Sequence, residues 1–455
     1  MTIEKDKKFY LSVISIALPI ALQNLITFAN SMMDTIMLGQ ADASGLLLSA
    51  SSLANQPFFI LTLACFGMAG GATVLISQYW GKRDMAPIRR IVSMMLRVAL
   101  AVSCLFALAV LLLPEQVMAL YSARPDVIDA GASYLRILGY AYVLFGVSNT
   151  LLCMLRGVEL VRISAVVNAV SFVINTGLNW VLIFGRFGMP ALGIRGAAIA
   201  SLTARAVEFL IIVIYVFVVD KRLGFRLRHL RLTDRLLARD LLVHGSPVLI
   251  NEVMWAVGSS VQAAILGHIT YTAGDPVAAN SIAGMVQQLS TVVIFGLANA
   301  AAVVVGRAIG EGDRARAMRQ AHTLKYGSVL VGLLACGLIL LLRDMVVEFY
   351  DFPEATKQLA RELIDVVAVI TIFVAMSSMF IIGILRGAGD TRFCLVAEMA
   401  CLWGASLPLA AAAAMWLKLP VPVVLVCMKI DEPLKSALCF LRMRGEHWLR
   451  SLTRD

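Results

Sequence analysis

Apolar runs long enough to cross a bilayer follow one another along almost the whole of this chain. A helix needs roughly 20 apolar residues to span the hydrocarbon. Twelve candidates lie at about 11–38, 47–77, 88–113, 131–156, 161–185, 194–219, 241–269, 277–307, 317–342, 360–386, 393–417 and 420–443. Several exceed 25 residues, which implies tilt or extension beyond the hydrocarbon. Lys429, Asp431, Glu432 and Lys435 interrupt the last of them. Of the 455 residues, 60% are hydrophobic and 15% charged, whereas soluble domains carry about 25% charged residues. A soluble core cannot use this much apolar surface. The expected fold is therefore an all-α polytopic membrane protein with twelve transmembrane helices.

A net charge of +10 invites a nucleic-acid reading, but the basic residues gather in short loops between apolar runs. That is the pattern of the positive-inside bias. The N-terminal arm carries Lys5, Lys7 and Lys8, and the second loop Lys82, Arg83, Arg89 and Arg90. The sixth loop carries Lys221, Arg222, Arg226, Arg228, Arg231, Arg235 and Arg239, and the tail Arg442, Arg444 and Arg450. Loops 40–46 and 271–276 hold no Lys or Arg. Both termini and the 220–240 linker are thus expected on the cytoplasmic side of the cell (inner) membrane. The run after Lys8 has no convincing small-residue cleavage site and reads as a retained first helix. Cys65, Cys104, Cys153, Cys336, Cys394, Cys401, Cys427 and Cys439 show no CxxC and no zinc-like spacing, so they read as small apolar fillers. The 21 methionines read as packing residues.

The runs repeat. Pro19 lies 228 residues before Pro247, and Gly39 lies 228 before Gly267. GMAGGATVLISQYWGKRD at 67–84 matches GLANAAAVVVGRAIGEGD at 296–313 with an offset of 229, placing Gly67, Gly81 and Asp84 on Gly296, Gly310 and Asp313. LRG at 155–157 recurs at 385–387, and Arg162 falls on Arg392. So steady an offset implies two six-helix halves, 1–219 and 241–455, joined by the basic linker 220–240. Each half has an even number of helices, so both enter the membrane in the same sense. They are then related by a pseudo-two-fold along the membrane normal, with the substrate site between them.

Within this frame the intramembrane polar residues are the candidates. A charged side chain at bilayer depth costs at least about 2.5–3.5 kcal/mol, so its presence points to function. Asp34 lies towards the outer end of the first run, and Glu252 sits five residues past Pro247, closer to the cytoplasmic side. The two acids are not repeat-equivalent: Asp34 aligns with Gln262 and Glu252 with Asn24. A carboxyl in low dielectric can exchange a proton or metal ion for a cationic solute. The bland readings are an interfacial cap for Asp34 and a Lys or Arg partner in another helix for Glu252. Asn175 and Asn179 share a helix face; they line a polar cavity or bond helix to helix. Arg205 and Glu208, three apart, read as a self-neutralising pair. Glu398, at the repeat position of Asn168, has no evident local partner and is a secondary candidate. Asp431 and Glu432, with Lys429 and Lys435, form one structural network or part of a transport path.

Taken together, these residues resemble the MATE (multidrug and toxic compound extrusion) transporters over nearly the whole chain. The resemblance rests on Pro19 with Asp34 in SMMDTIMLG, Gln78 and Gly81, LRG at 155–157, NTGLNWVLIFG at 175–185, GIRGAAIASLTARAVE at 193–208, Pro247 with Glu252, and LRGAGDTR at 385–392. It is closer to the NorM-type branch than to the DinF-type. It implies two six-helix bundles around a V-shaped cavity, and Na⁺- or H⁺-coupled export of cationic, amphiphilic small molecules by alternating access. Asp34 then matches the first-helix acid and Glu252 the seventh-helix acid of that family. The tenth-helix acid of the NorM-type site aligns with Ala375, and the fifth-helix acid of the DinF-type site with Asn179, so neither coupling site is complete and Glu252 looks the more isolated acid. A lipid-linked saccharide flippase of the same superfamily is the rival reading. A membrane-embedded prenyl transferase would need a DDxxD motif, and direct ATP drive a Walker A motif; the chain has neither. The expectation is a monomeric transporter, not an enzyme, without a cofactor beyond the coupling ion, with small-molecule substrates and membrane lipid as its partners.

Overall fold

The computed structural model describes residues 4, 6–42, 46–122, 124–267, 269, 276–348, 353–445, 447–450 and 452. Lys5, residues 43–45 of the Lys- and Arg-free loop 40–46 and residues 271–275 of the loop 271–276 lie outside them.

The apolar runs are helices. In chain order these are α1 (Lys7–Ala41), α2 (Leu46–Ala54), α3 (Gln56–Gly81), α4 (Met85–Leu112), α5 (Pro114–Ala119), α6 (Pro125–Gly157), α7 (Arg162–Phe184) and α8 (Ile194–Ile214). After the linker come α9 (Arg235–Gly267), α10 (Pro276–Gly310), α11 (Arg314–Glu348), α12 (Glu354–Ser378), α13 (Thr391–Cys401), α14 (Leu407–Ala411), α15 (Val421–Lys429) and α16 (Asp431–Arg442). Among the described residues eleven spans are long and apolar enough to cross a membrane. The solvent that suits them is lipid: Leu334, Leu338 and Leu341 on α11 are all exposed.

Three of the breaks in the helices fall at prolines, whereas Pro19 and Pro247 lie inside unbroken helices. Pro57 cannot donate to the carbonyl four residues back, and α2 and α3 separate at Asn55, two residues before it. Around Pro408 the eleventh span widens into π-helical turns at Leu402–Ser406 and Ala412–Trp416, which absorb the missing bond. A third wide turn, Met379–Arg386, ends the tenth span. The twelfth predicted run is not one helix. It divides into α15 and α16 at Ile430, because Pro433 cannot continue the ladder but is tolerated in the first turn of a new helix.

The described chain forms two compact units. The first contains Leu22–Ile76 and Asp84–Gly245. Its core joins α1, α2, α3, α4, α6 and α8 through Leu38, Ala54, Leu61, Val110, Tyr142 and Ala198. Within it the basic linker is fastened to α4: Arg89 Nε donates to the Leu223 carbonyl (2.6 Å) and Arg97 Nη2 to that of Leu232 (2.6 Å). Ser93 Oγ lies 2.9 Å from the carbonyls of Leu230 and Leu232. Asp234 closes the linker. Backbone amides of Leu237 and Leu236, with the Arg90 guanidinium, hold its carboxyl below the usual carboxylate range.

The second unit contains Met1–Ala21, Ser77–Arg83 and Ser246–Asp455. Its core gathers Ile265, Ile282, Val347, Leu363, Leu402 and Val424. Here the repeat becomes physical. A Cβ on Gly81 would strike the Arg307 carbonyl, and one on Gly310 the Gln78 carbonyl. The two glycines that correspond in the repeat thus let their helix ends cross backbone to backbone.

Candidate functional site

In the first unit, α1, α2, α3, α6, α7 and α8 enclose a cavity of about 390 Å³, with Asp34 in its wall. Asn30, one turn before Asp34 on α1, lines the same cavity, as do Asn55 beside the α2–α3 break, Tyr134 and Asn175. Asn179 Nδ2 donates both to Asp34 Oδ1 and to Asn175 Oδ1 (2.9 Å), and Asn175 Nδ2 donates to Ser201 Oγ (3.1 Å). The two asparagines predicted to share a face therefore do both things foreseen for them: they bond helix to helix, and Asn175 faces the cavity.

Arg205 is the cation in this wall. Its Nη1 pairs with buried Glu208 at 2.7 Å, the self-neutralising pair expected from the spacing, and its guanidinium lies 5.3 Å from the Phe145 ring centroid. Among the cavity's described lining residues Asp34 is the single carboxylate. Since Glu208 balances Arg205, the charge of Asp34 dominates the cavity. Two buried amide oxygens near it, Asn30 Oδ1 and Asn179 Oδ1, have no donor.

The acids of the second unit are arranged differently from the expectation. Glu252 is not isolated: Arg386 Nη1 pairs with Glu252 Oε1 at 3.0 Å. Arg386 belongs to the LRG motif, and the wide turn Met379–Arg386 carries it to α9. Glu398 is not without a partner either. Lys435 Nζ lies 3.2 Å from Glu398 Oε1, and Asn251 Nδ2 lies 3.5 Å from its Oε2. A single ammonium holds three acids, because Lys435 also meets Asp431 at 2.9 Å and Glu432 at 2.8 Å. Of the network foreseen from spacing, Asp431, Glu432 and Lys435 are joined, whereas Lys429 makes no ion pair with them among the described residues; Glu398 joins from a distant helix. Ser377 donates to Glu432 from α12. Among the described residues, no group of three His, Cys, Asp or Glu side chains is placed to hold a metal ion.

Several of these partners escaped the sequence. Asn30 carried a readable signal, since it lies four residues from Asp34 and so on the same face. Tyr134, Asn55 and Ser201 carried none, because only tertiary packing brings α2, α6 and α8 to α1. Arg386 was visible only as a letter in a repeated motif.

Comparisons with known proteins give the family and the fold. The MatE family profile matches twice, over residues 19–181 and 247–412, so the two matches begin on the two repeated prolines. A probable multidrug resistance protein NorM from Thermotoga maritima is 24% identical over 449 residues, covering 97% of this chain and 94% of its own. A NorM from Rhizobium meliloti is 29% identical over 386 residues, covering 81% and 79%. Multidrug resistance protein PmpM from Pseudomonas aeruginosa is 26% identical, covering 87% and 82%. In fold, the chain is similar to a MOP superfamily transporter from Pyrococcus furiosus, with a TM-score of 0.86 and 18% identity over 95% of this chain and 94% of that one. The two profile matches together span more than two thirds of the sequence, and the chain therefore belongs to the MatE family, as a membrane transporter and not an enzyme.

Proposed function

We propose that this protein is a cation-coupled antiporter, driven by Na⁺ or H⁺, that exports cationic or amphiphilic small molecules by alternating access between its two halves. One observation carries the reading. The first-unit cavity has about the volume of a small-molecule site, and Asp34 supplies its only uncompensated charge among the described lining residues. A cation, whether solute or coupling ion, gains from that charge in a low-dielectric wall. The unmatched oxygens of Asn30 and Asn179 favour a cation further. The multidrug resistance names of its relatives support the substrate class. In this proposal Asp34 and Glu252 couple transport, both termini face the cytoplasm of the inner membrane, and the chain works as a monomer.

The test is efflux of ethidium from proteoliposomes under an imposed Na⁺ gradient and then an imposed pH gradient. Asp34→Asn and Glu252→Gln should each abolish gradient-driven efflux while leaving expression intact. Wild-type-like efflux in both variants would sink the coupling assignment. No response of the wild type to either gradient would favour lipid-linked saccharide flipping instead.

A further inference from the structure

The second unit contains a buried charge imbalance that the coupling assignment does not use. Glu398 on α13 and Asp431 and Glu432 on α16 converge on Lys435, whose side chain is 4% exposed. Lys429, half-buried at the end of α15, is the further cation whose charge reaches Asp431 and Glu432. Two positive charges thus face three carboxylates, and one negative charge is left over. The helix ends do not correct this. The C-terminus of α15 and the N-terminus of α16 meet at Ile430, so their opposite partial charges cancel.

Other charges near the set are already engaged. Glu252 pairs with Arg386 and Asp390 with both Arg442 and Arg450; the surplus positive charge of that second group sits on side chains 29% and 45% exposed, outside the buried set, and Ser377 and Asn251 are neutral. Cys394, Cys401 and Cys439, on α13 and α16, are free cysteines. Lys325 of α11 lies over the Phe440 ring, 3.4 Å from its centroid, about one and a half turns beyond Lys435 and two and a half beyond Asp431 along α16. An unmatched charge removed from water costs several kcal/mol, so the imbalance must be met.

A second, independent observation says where. Glu432 Oε1 takes Lys435 and its Oε2 takes Ser377, while Glu398 Oε1 takes Lys435 and its Oε2 takes Asn251. Asp431 Oδ2 takes Lys435. The remaining oxygen, Asp431 Oδ1, is buried on a side chain 6% exposed and has no hydrogen-bond partner.

We propose that Glu398, Asp431, Glu432 and Lys435 form a proton-binding site in the second unit, with the proton resting on Asp431 Oδ1. Binding converts the Asp431 carboxylate to a neutral carboxylic acid and brings the buried set to neutrality; release restores the anion. The proton belongs to the coupled set, so replacing any of its acids with an amide removes the need for it. A metal ion suits the site less well, because its oxygens are directed at Lys435, Ser377 and Asn251 and not at a common point. The site deepens the antiporter reading by supplying a proton-exchange position remote in sequence from Asp34, but the protonation itself does not depend on that reading.

Infrared spectroscopy of the purified full-length protein in lipid tests it directly. At neutral pH the wild type should show a protonated-carboxyl C=O band that shifts in D₂O. Asp431→Asn and Glu398→Gln should each lose one carboxyl's worth of that band. Lys435→Met should gain about one. Asp34→Asn should leave this component in place. A wild type without any such band, or variants at Asp431 and Glu398 that keep its full intensity, would overturn the proposal, and the Glu398 and Lys435 variants decide it should Asp431→Asn not fold. The efflux assay separates the two claims. Absent gradient-driven efflux with the expected bands defeats the antiporter alone, and efflux with unchanged bands defeats the proton site alone.

Discussion

The Glu252–Arg386 pair lends itself to a double-mutant cycle that tells structure from coupling. The charges are 3.0 Å apart, with side-chain exposures of 27% and 10%. At that separation the attraction is roughly 5 kcal/mol at an effective dielectric of about 20. Desolvation returns several kcal/mol of it, and the partly wet Glu252 is further screened. A coupling energy of about 1–2 kcal/mol is the expected remainder, inside the range for contacting residues. Glu252→Gln and Arg386→Gln should each cost about 2–3 kcal/mol, because each strands a partly buried charge. The double variant should cost about 1–2 kcal/mol less than their sum. Equilibrium unfolding of the full-length protein in mixed micelles measures this, and additivity within about 0.5 kcal/mol would refute the pairing. The same variants then enter the efflux assay. If Glu252 couples transport, the double variant regains stability but not efflux. Return of efflux along with stability would reduce Glu252 to the partner of Arg386.

Two further outcomes rest on packing at the ends of the helices. Gly310→Val should cost about 1–3 kcal/mol or more, since its Cβ lands on the Gln78 carbonyl; Gly284→Ala, with nothing within 4 Å of its Cβ, should be near neutral, and equal monodisperse yields of the two would contradict the crossing. Asp390→Asn should loosen the C-terminal segment. Asp390 holds Arg442 at 2.9 Å and Arg450 at 3.2 Å, and Gln78 holds the backbone of Arg450 and Leu452. Trypsin should then cut at Arg450 several-fold faster than in the wild type, and an unchanged rate would show that Asp390 does not hold this segment.

What the sequence made legible divides along physical lines. Helix positions follow from runs of apolar residues, a local property, and eleven spans occur at close to the predicted bounds. The twelfth was legible as a problem through its charges, but its cause, Pro433 opening the chain at Ile430, is a matter of backbone hydrogen bonding. The face shared by Asn175 and Asn179 was legible because spacing of four fixes it. Partners on other helices were not: Arg386 lies 134 residues from Glu252, and Lys435 lies 37 from Glu398. An acid reads as isolated whenever its counter-ion is distant in sequence, and that is why Glu252 and Glu398 looked unpaired.

The repeat itself separates what was duplicated from what was added. Matched glycines, Gly81 and Gly310, meet in the second unit, so the duplicated frame survives as backbone geometry. Matched polar positions do not share a chemistry. Where the first copy places Asp34 in a cavity wall, the second places Gln262, whose amide donates at 2.8 Å to the Met428 carbonyl beside the α15–α16 break. Ser406 Oγ reaches the same carbonyl at 2.6 Å. Where the second copy places Glu398 on Lys435, the first places Asn168, whose amide donates to the Ser164 carbonyl of its own helix. An acid copied along with the frame would stand at the same depth in both halves. Here Asp34 and Glu398 each have an uncharged side chain at the equivalent position, one bonded to a backbone carbonyl of another helix and the other to a carbonyl of its own. Charge was therefore set separately in each copy on a shared scaffold.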